Sequence, residues 1–245
     1  MTKYRSRRIF HISILFFITL ICVFFFLYSS FFYIDTISVS GNERVEESEV
    51  LKLSGVTKGT NIFKLDNRLC ARAVETHPII KTAQITRQLP REIKINIVER
   101  EMWAVMPYND VFLVLDPEGV CLDKMAYIPE GDYCLITMDN PPEQITLGHA
   151  VASTEIEMIR KVYELIPEEV ENNLSQFHYD TIKEEILIYT LRGTEIKFGN
   201  LDRIEEKTEL IAQVFPMEID LEENGTGKLE YIDLRFTGQP VLKMK

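Results

Sequence analysis

Residues 79–100 read IIKTAQITRQLPREIKINIVER. Ile93, Ile95 and Ile97 alternate with Lys94 and Asn96, the two-residue period of a strand with one buried face. Pro90-Arg91 interrupts the run, because proline cannot donate to a ladder. The stretch therefore predicts two strands, Ile79 to Leu89 and Glu92 to Arg100, paired across that turn.

Upstream, His77-Pro78 closes a helix, since the residue before proline avoids the helical region. That helix carries Leu65, Leu69 and Ala73 at four-residue spacing, and Asp66 can cap it. Val50, Leu51 and Leu53 form a shorter helical pattern that stops at Gly55, a natural helix-terminating residue. Ile37 and Val39 alternate with Thr36 and Ser38, and Gly41-Asn42 turns the chain. Residues 34–101 thus read β-α-α-β-β, a small sheet with two helices on one face.

Before this unit, Ile12 to Phe32 runs 21 residues without a charge. At about 1.5 Å per residue, such a helix spans roughly the 30 Å of bilayer hydrocarbon. Lys3, Arg5, Arg7 and Arg8 precede it, which predicts a cytoplasmic N-terminus and an extracytoplasmic body. A cleaved signal peptide would have a shorter apolar region and a small-residue cleavage site. Phe31, Phe32 and Tyr33 stand there instead. The expected organisation is a tail at 1–11, a transmembrane helix at 12–33, a first domain at 34–101, a β domain at 102–241 and a terminal end at 242–245.

The segment after Met102 is strand-rich. Val111 to Leu115 and Val120 to Leu122 flank Asp116-Pro117-Glu118-Gly119, a strong turn signal. Ile156, Ile159, Tyr163 and Ile166 mark an amphipathic helix ending before Pro167. Strands follow near Ser175–Tyr179, Ile186–Thr190 and Glu195–Phe198, then a helix carrying Ile204, Ile211 and Phe215. A last strand, Leu229 to Phe236, puts Ile232, Leu234 and Phe236 on one face and Tyr231, Asp233 and Arg235 on the other. The fold class is α+β: an anchor helix, a β-α-α-β-β domain and a mixed, strand-rich domain with two helices. Residues 123–150 carry no recognisable motif.

The charge pattern excludes one large class of partner. Beyond residue 33 the chain has 23 basic and 38 acidic residues. Nucleic-acid affinity rests on neutralising phosphates, so a body this acidic repels nucleic acid. It should also stay off anionic lipid apart from its anchor. Cys22 falls in the apolar run; Cys70, Cys121 and Cys134 lie beyond it, with no C-x-x-C spacing. Cys121 and Cys134 either pair or act as small buried hydrophobes. No G-x-S-x-G, S-x-x-K, H-E-x-x-H or phosphate-binding glycine loop occurs, and His11, His77, His149 and His178 are scattered. The sequence thus predicts no catalytic, metal or cofactor residues and no cofactor.

Several runs, taken in order, carry a resemblance: VSGNERV at 39–45, LSGVTKGTNIF at 53–63 and HPIIKTAQITRQLPREIKINIVER at 77–100. VFLVLDPEG at 111–119, RGTEIKFG at 192–199, Glu206-Lys207 and YIDLRF at 231–236 continue it. Together they resemble the FtsQ/DivIB cell-division proteins, whose first extracytoplasmic unit is a POTRA domain followed by a β domain. The resemblance implies a non-enzymatic scaffold at the division septum that binds two small bitopic partners, an FtsL-like and an FtsB/DivIC-like protein, and helps regulate septal peptidoglycan synthesis. It implies further divisome contacts through the POTRA domain. In that family the C-terminal strand of the β domain is where the FtsB-like partner adds. An edge strand offers unpaired N–H and C=O groups that a partner segment can complete. The expected partner-binding residues are Tyr231, Asp233, Leu234, Arg235, Phe236 and Val241, with Arg235 a charged handle and Phe236 an apolar anchor. The competing classes are a POTRA-bearing translocation component and a membrane-anchored cell-wall enzyme.

Overall fold

The computed structural model describes residues 2–131, 133–224 and 227–245. The side chains of residues 2–9, 153, 222 and 223 lie outside the description, including Lys3, Arg5, Arg7 and Arg8 of the basic cluster. The chain divides into two units, Met1–Arg100 and Glu101–Lys245.

The first unit opens with helix α1, Thr2–Leu27. Its window Phe10–Leu27 is long and apolar enough to cross a membrane. The uncharged run had suggested a helix through Phe32; the structure ends it at Leu27. Two contacts account for the stop. Asn61 Nδ2 donates to the Leu27 carbonyl at 2.9 Å, satisfying one of the acceptors a helix end leaves open. Phe32 then leaves the helix and buries itself in the next core, its ring 5.0 Å from that of Phe63.

Strand β1 (Thr36–Ser40), helices α2 (Glu47–Ser54) and α3 (Asn67–Val74), and strands β2 (Ile80–Gln88) and β3 (Glu92–Glu99) complete this unit in the expected β-α-α-β-β order. The sheet order is β1-β3-β2, with β1 parallel and β2 antiparallel to the central β3. Gly55 takes the left-handed conformation after α2, at φ 65°, where a side chain is disfavoured. Asp66 caps α3 by accepting from the N–H groups of Arg68 and Leu69. Ile93, Ile95 and Ile97 are buried with Val50, Ile62 and Val74, so the alternation in β3 points into the helices. Each fully buried side chain of this kind stabilises the fold by about 1.5–3 kcal/mol.

The second unit is a nine-stranded mixed sheet. Its strands are β4 (Ala104–Tyr108), β5 (Val111–Leu115), β6 (Cys121–Met125), β7 (Cys134–Met138), β8 (Leu174–Asp180), β9 (Glu185–Thr190), β10 (Glu195–Gly199), β11 (Leu229–Asp233) and β12 (Val241–Met244). The order across the sheet is β12-β11-β10-β9-β8-β7-β4-β5-β6. Parallel neighbours need a long crossover, and helices supply two of them. Helices α4 (Ser153–Tyr163) and α5 (Glu168–Glu171) connect β7 to β8; α6 (Ile204–Glu223) connects β10 to β11. Ile156 and Ile159 of α4 and Ile211 and Phe215 of α6 share one core with Phe177, Ile188, Ile196 and Phe198 of the sheet.

Three strands were not foreseen. β4 and β7 are short, and β7 falls in the stretch where no motif was visible. β12 spans Val241–Met244, across the boundary expected between the β domain and the terminal end at 242–245. The last expected strand also stops early, at Asp233 rather than Phe236. Helix α6 runs on past Phe215, with Pro216 inside it. Cys121 and Cys134 are free thiols and buried. Burial pushes the Cys121 thiol up to about 11 and raises that of Cys134 as well.

Candidate partner-binding edge

The C-terminal end of the sheet is built by β10, β11 and β12. β11 runs parallel to β10, with Glu195 opposite Tyr231 and Lys197 opposite Asp233. On its other side β12 pairs antiparallel, with Val241 opposite Asp233, Leu242 opposite Ile232 and Lys243 opposite Tyr231. β11 is therefore an interior strand and β12 is the edge. This corrects the expectation that the strand bearing Tyr231 would itself be open. The reason is the chain reversal over residues 234–240, which brings Val241–Met244 back onto β11.

The expected residues separate into different environments. Leu234 is 1 % exposed and part of the core, and its N–H donates to the Lys197 carbonyl. It is a packing residue, inaccessible to a partner. Asp233 is buried and faces Arg235: the guanidinium meets it at 2.7 Å and 3.0 Å. Arg235 also pairs with Glu185 at 3.2 Å. Its hydrogen bonds with Asp233 hold the Asp233 carboxyl below the usual carboxylate range and strengthen the proton affinity of Arg235. Arg235, expected as a charged handle, is exposed yet braced on both sides by Asp233 and Glu185. Tyr231 is half-buried, its ring faced by Lys197 at 4.0 Å and Lys243 at 5.6 Å. Lys243 in turn pairs with Glu230 at 2.8 Å. Phe236 is 62 % exposed and Val241 48 %. Met244 is exposed beside them in sequence, and Leu242 is half-buried against the core.

Two residues absent from the expected set organise this edge. Arg203 sits just before α6 with φ 55°, and its Nη2 donates to the carbonyls of Leu234, Arg235 and Phe236 at 3.4, 3.3 and 3.0 Å. It grips the backbone as it leaves β11. Lys207, one turn on, is buried, with Nζ donating to the Asn200 carbonyl at 2.9 Å and lying 5.0 Å from the Phe198 ring. Desolvation holds its amine below the usual lysine range. No sequence period marks Arg203; Lys207 stood in a family-like motif without a role. A polar cavity of about 280 Å³ beside Arg235 is lined by Lys183, Glu185, Asn200 and Lys207. Its cations already have partners: Lys183 meets Asp180 at 2.6 Å. Among the described residues, no group of three or more His, Cys, Asp or Glu side chains is arranged to hold a metal ion.

Residues 104–235 match the family model described as cell division protein FtsQ/DivIB, C-terminal. The chain belongs to the FtsQ/DivIB family. Residues 32–100 match the FtsQ-type POTRA domain, so both units of this FtsQ/DivIB protein have family counterparts. The edge strand β12 lies beyond the matched residues. Cell division protein DivIB of Clostridium botulinum strain Hall is 25 % identical over 245 residues, covering 98 % of this chain and 93 % of that protein. FtsQ of Syntrophotalea carbinolica is 24 % identical over 218 residues, 88 % and 75 % of the two chains. FtsQ of Myxococcus fulvus is 26 % identical over 187 residues, 75 % of this chain and 64 % of that one. The chain thus spans just under two thirds of the Myxococcus relative. A solved extracytoplasmic domain of DivIB from Geobacillus stearothermophilus is similar at TM-score 0.34 and 16 % identity, over 51 % of this chain and 97 % of that one. Family membership gives the chain a role in cell division, and its apolar N-terminal helix fits membrane anchoring.

Proposed function

We propose that this FtsQ/DivIB protein is a non-enzymatic divisome scaffold whose partner-binding edge is β12 with the adjoining Phe236. α1 anchors it in the cell membrane as a single span, with the N-terminus cytoplasmic and both units extracytoplasmic, concentrated at the septum. The partners are an FtsB/DivIC-like and an FtsL-like bitopic protein, and through them the chain helps regulate septal peptidoglycan synthesis. The POTRA unit recruits further division proteins.

One observation carries the reading. β12 ends a nine-stranded sheet, pairs on one side with β11 and exposes Val241 and Met244. An added strand would gain main-chain bonds along β12, while Phe236, Val241 and Lys243 would supply selectivity. Arg235, Asp233 and Arg203 hold that edge in register without touching the partner. The buried, high-pKa thiols of Cys121 and Cys134 favour packing over nucleophilic roles.

The test is affinity capture of the full-length protein from its native membranes, beside a Phe236→Ala/Val241→Glu variant whose folding is checked by circular dichroism. Small coiled-coil bitopic proteins should come with the parent and be lost with the folded variant. Equal recovery with both would place the interface elsewhere, and recovery of secretion machinery would reject the scaffold.

A further inference from the structure

Three chain segments meet at one end of the POTRA unit. They are the strap 28–35 that leaves α1, the loop 57–65 and the hairpin tip 87–91. Asn61 joins the loop to the last turn of α1 through the Leu27 carbonyl. Ile34 and Thr60 share a backbone bond of 2.9 Å, and Gly59 donates to the Ile34 carbonyl at 2.8 Å. At the hairpin, Arg91 Nε donates to the Tyr33 carbonyl at 3.2 Å and the Arg91 carbonyl accepts from Asp35 N at 2.9 Å. The Arg87 guanidinium reaches the Leu65 carbonyl.

This end is apolar at its tip and basic around it. Leu89 is 60 % exposed, Phe31 53 % and Phe63 37 %. Lys58, Lys64, Arg87 and Arg91 are exposed among them. The acids nearby in the chain are Asp35, Asp66 and Glu92; Asp66 is engaged in capping α3, and the half-buried Glu92 accepts from Ser38 Oγ at 3.5 Å. The acidity of the whole chain does not extend here. Residues 34–101 carry 11 Lys and Arg against 10 Asp and Glu, whereas residues 102–245 carry 12 against 28.

We propose that this end of the POTRA unit docks on the bilayer surface, with Phe31, Phe63 and Leu89 at headgroup level and Lys64, Arg87 and Arg91 on anionic phospholipid phosphates. The inference rests on α1 crossing the membrane. Given that, continuity dictates the occupant. The loop 57–65 is bonded to the residue that closes the apolar window of α1, and the hairpin is bonded to Tyr33, six residues on. Six residues span about 20 Å at most, which keeps the hairpin close above a headgroup layer of about 5–8 Å. Lys and Arg favour that layer because each has an apolar stem and a charged end, and exposed Phe and Leu side chains insert at the boundary between headgroups and acyl chains. Each cation near an anionic surface contributes about a fivefold gain in partitioning. The acidic charge expected to repel lipid belongs to the second unit. Docking would fix the tilt of the POTRA sheet against the membrane and leave the edges β1 and β2 standing away from it.

The experiment uses the full chain reconstituted in phosphatidylcholine bilayers with or without phosphatidylglycerol, with brominated lipids as fluorescence quenchers. Tryptophan is introduced singly at Leu89, at Phe17 in α1, and at the exposed Val98 near the far end of β3, and the parent signal from Trp103 is subtracted. Leu89→Trp should be quenched by lipid brominated near the headgroup, more strongly with phosphatidylglycerol, while Val98→Trp is not. Lys64→Glu/Arg87→Glu/Arg91→Glu in the Leu89→Trp chain should lower the docked-to-free ratio by on the order of 100-fold. Because Arg87 and Arg91 also hold carbonyls, Lys58→Glu/Lys64→Glu serves as a second, structurally milder variant, with a smaller loss expected. Quenching of Phe17→Trp with Leu89→Trp as little quenched as Val98→Trp overturns docking but keeps the anchor. Loss of quenching at Phe17→Trp overturns both. Equal quenching of Leu89→Trp with and without phosphatidylglycerol overturns the anionic recognition.

Discussion

The Thr194 hydroxyl donates a 2.6 Å hydrogen bond to Glu218 Oε1 inside the core of the second unit. The Thr190 hydroxyl donates to the same oxygen at 2.7 Å. These bonds tie the β9–β10 turn to the crossover helix α6, which sets β11 beside β10. A buried polar group that loses its partner costs its desolvation, about 1–3 kcal/mol and more next to a charge. Glu218→Ala should therefore lower the unfolding free energy by about 3 kcal/mol, and Thr194→Val by about 1–2 kcal/mol. The double variant should cost less than the sum, since both changes break one bond. Urea unfolding followed by Trp103 fluorescence measures each; additive losses would show that the contact contributes nothing.

Glu99 gives the POTRA unit a pH dependence. Its carboxylate accepts from the backbone N–H groups of Glu43, Arg44 and Val45 at 2.9–3.1 Å and from Arg44 Nε at 3.2 Å. Desolvation pushes its pKa up, but these donors, Val45 first, outweigh it and bring the pKa below the ordinary value of 4.5. A carboxyl depressed in the fold contributes its full stability above the unfolded value and loses it as pH falls through the folded one. Glu99→Gln should cost about 2 kcal/mol at neutral pH. That difference should shrink as pH falls below about 4.5 and be lost once pH passes below the depressed folded value. A cost that stays constant over that range would mean that shape, not charge, carries the contact.

Where a single residue type dictates local geometry, the sequence announced it. Gly55 ended α2, Asp66 capped α3, and the Ile93–Ile97 alternation named the buried face of β3. Asp116 closed its turn by accepting from Glu118 and Val120 N–H. What escaped depends on long-range partners. β7 has only two consecutive buried-side positions, Cys134 and Ile136, too few to display a period. β12 is a four-residue strand with one half-buried residue, and it exists because β11 offers it a ladder. The candidate site was legible as a region. The division of labour within it was not, because Asp233, Arg235 and Glu185 come together only when β9 and β11 flank β10.

Gly41 and Gly59 look alike in sequence, and the fold treats them differently. Both have positive φ, 83° and 82°. A Cβ on Gly41 would run into the Ile97 carbonyl oxygen, whereas one on Gly59 meets nothing within 4 Å. Gly59→Ala should cost only the left-handed backbone penalty, about 1–2 kcal/mol. Gly41→Ala must also displace β3 and should cost about 3 kcal/mol or more. Thermal unfolding of the two variants decides it, and equal losses would show that the strand can shift freely.

Arg203 offers the sharpest test of how the edge is held. Its left-handed backbone costs about 1–2 kcal/mol for a residue with a side chain. Its Nη2 repays that by donating to three successive carbonyls, Leu234 to Phe236. Arg203→Ala keeps the backbone cost and loses the bonds; Arg203→Gly loses the bonds and relieves the cost. Both should destabilise, and the glycine variant should be the more stable of the two by about 1 kcal/mol. Amide exchange should quicken in β12 and at residues 234–236 in both variants, with the POTRA unit unchanged. If exchange in β12 is unaffected, the guanidinium does not hold the reversal, and the β11–β12 ladder with Asp233 and Arg235 is sufficient to keep the edge in place.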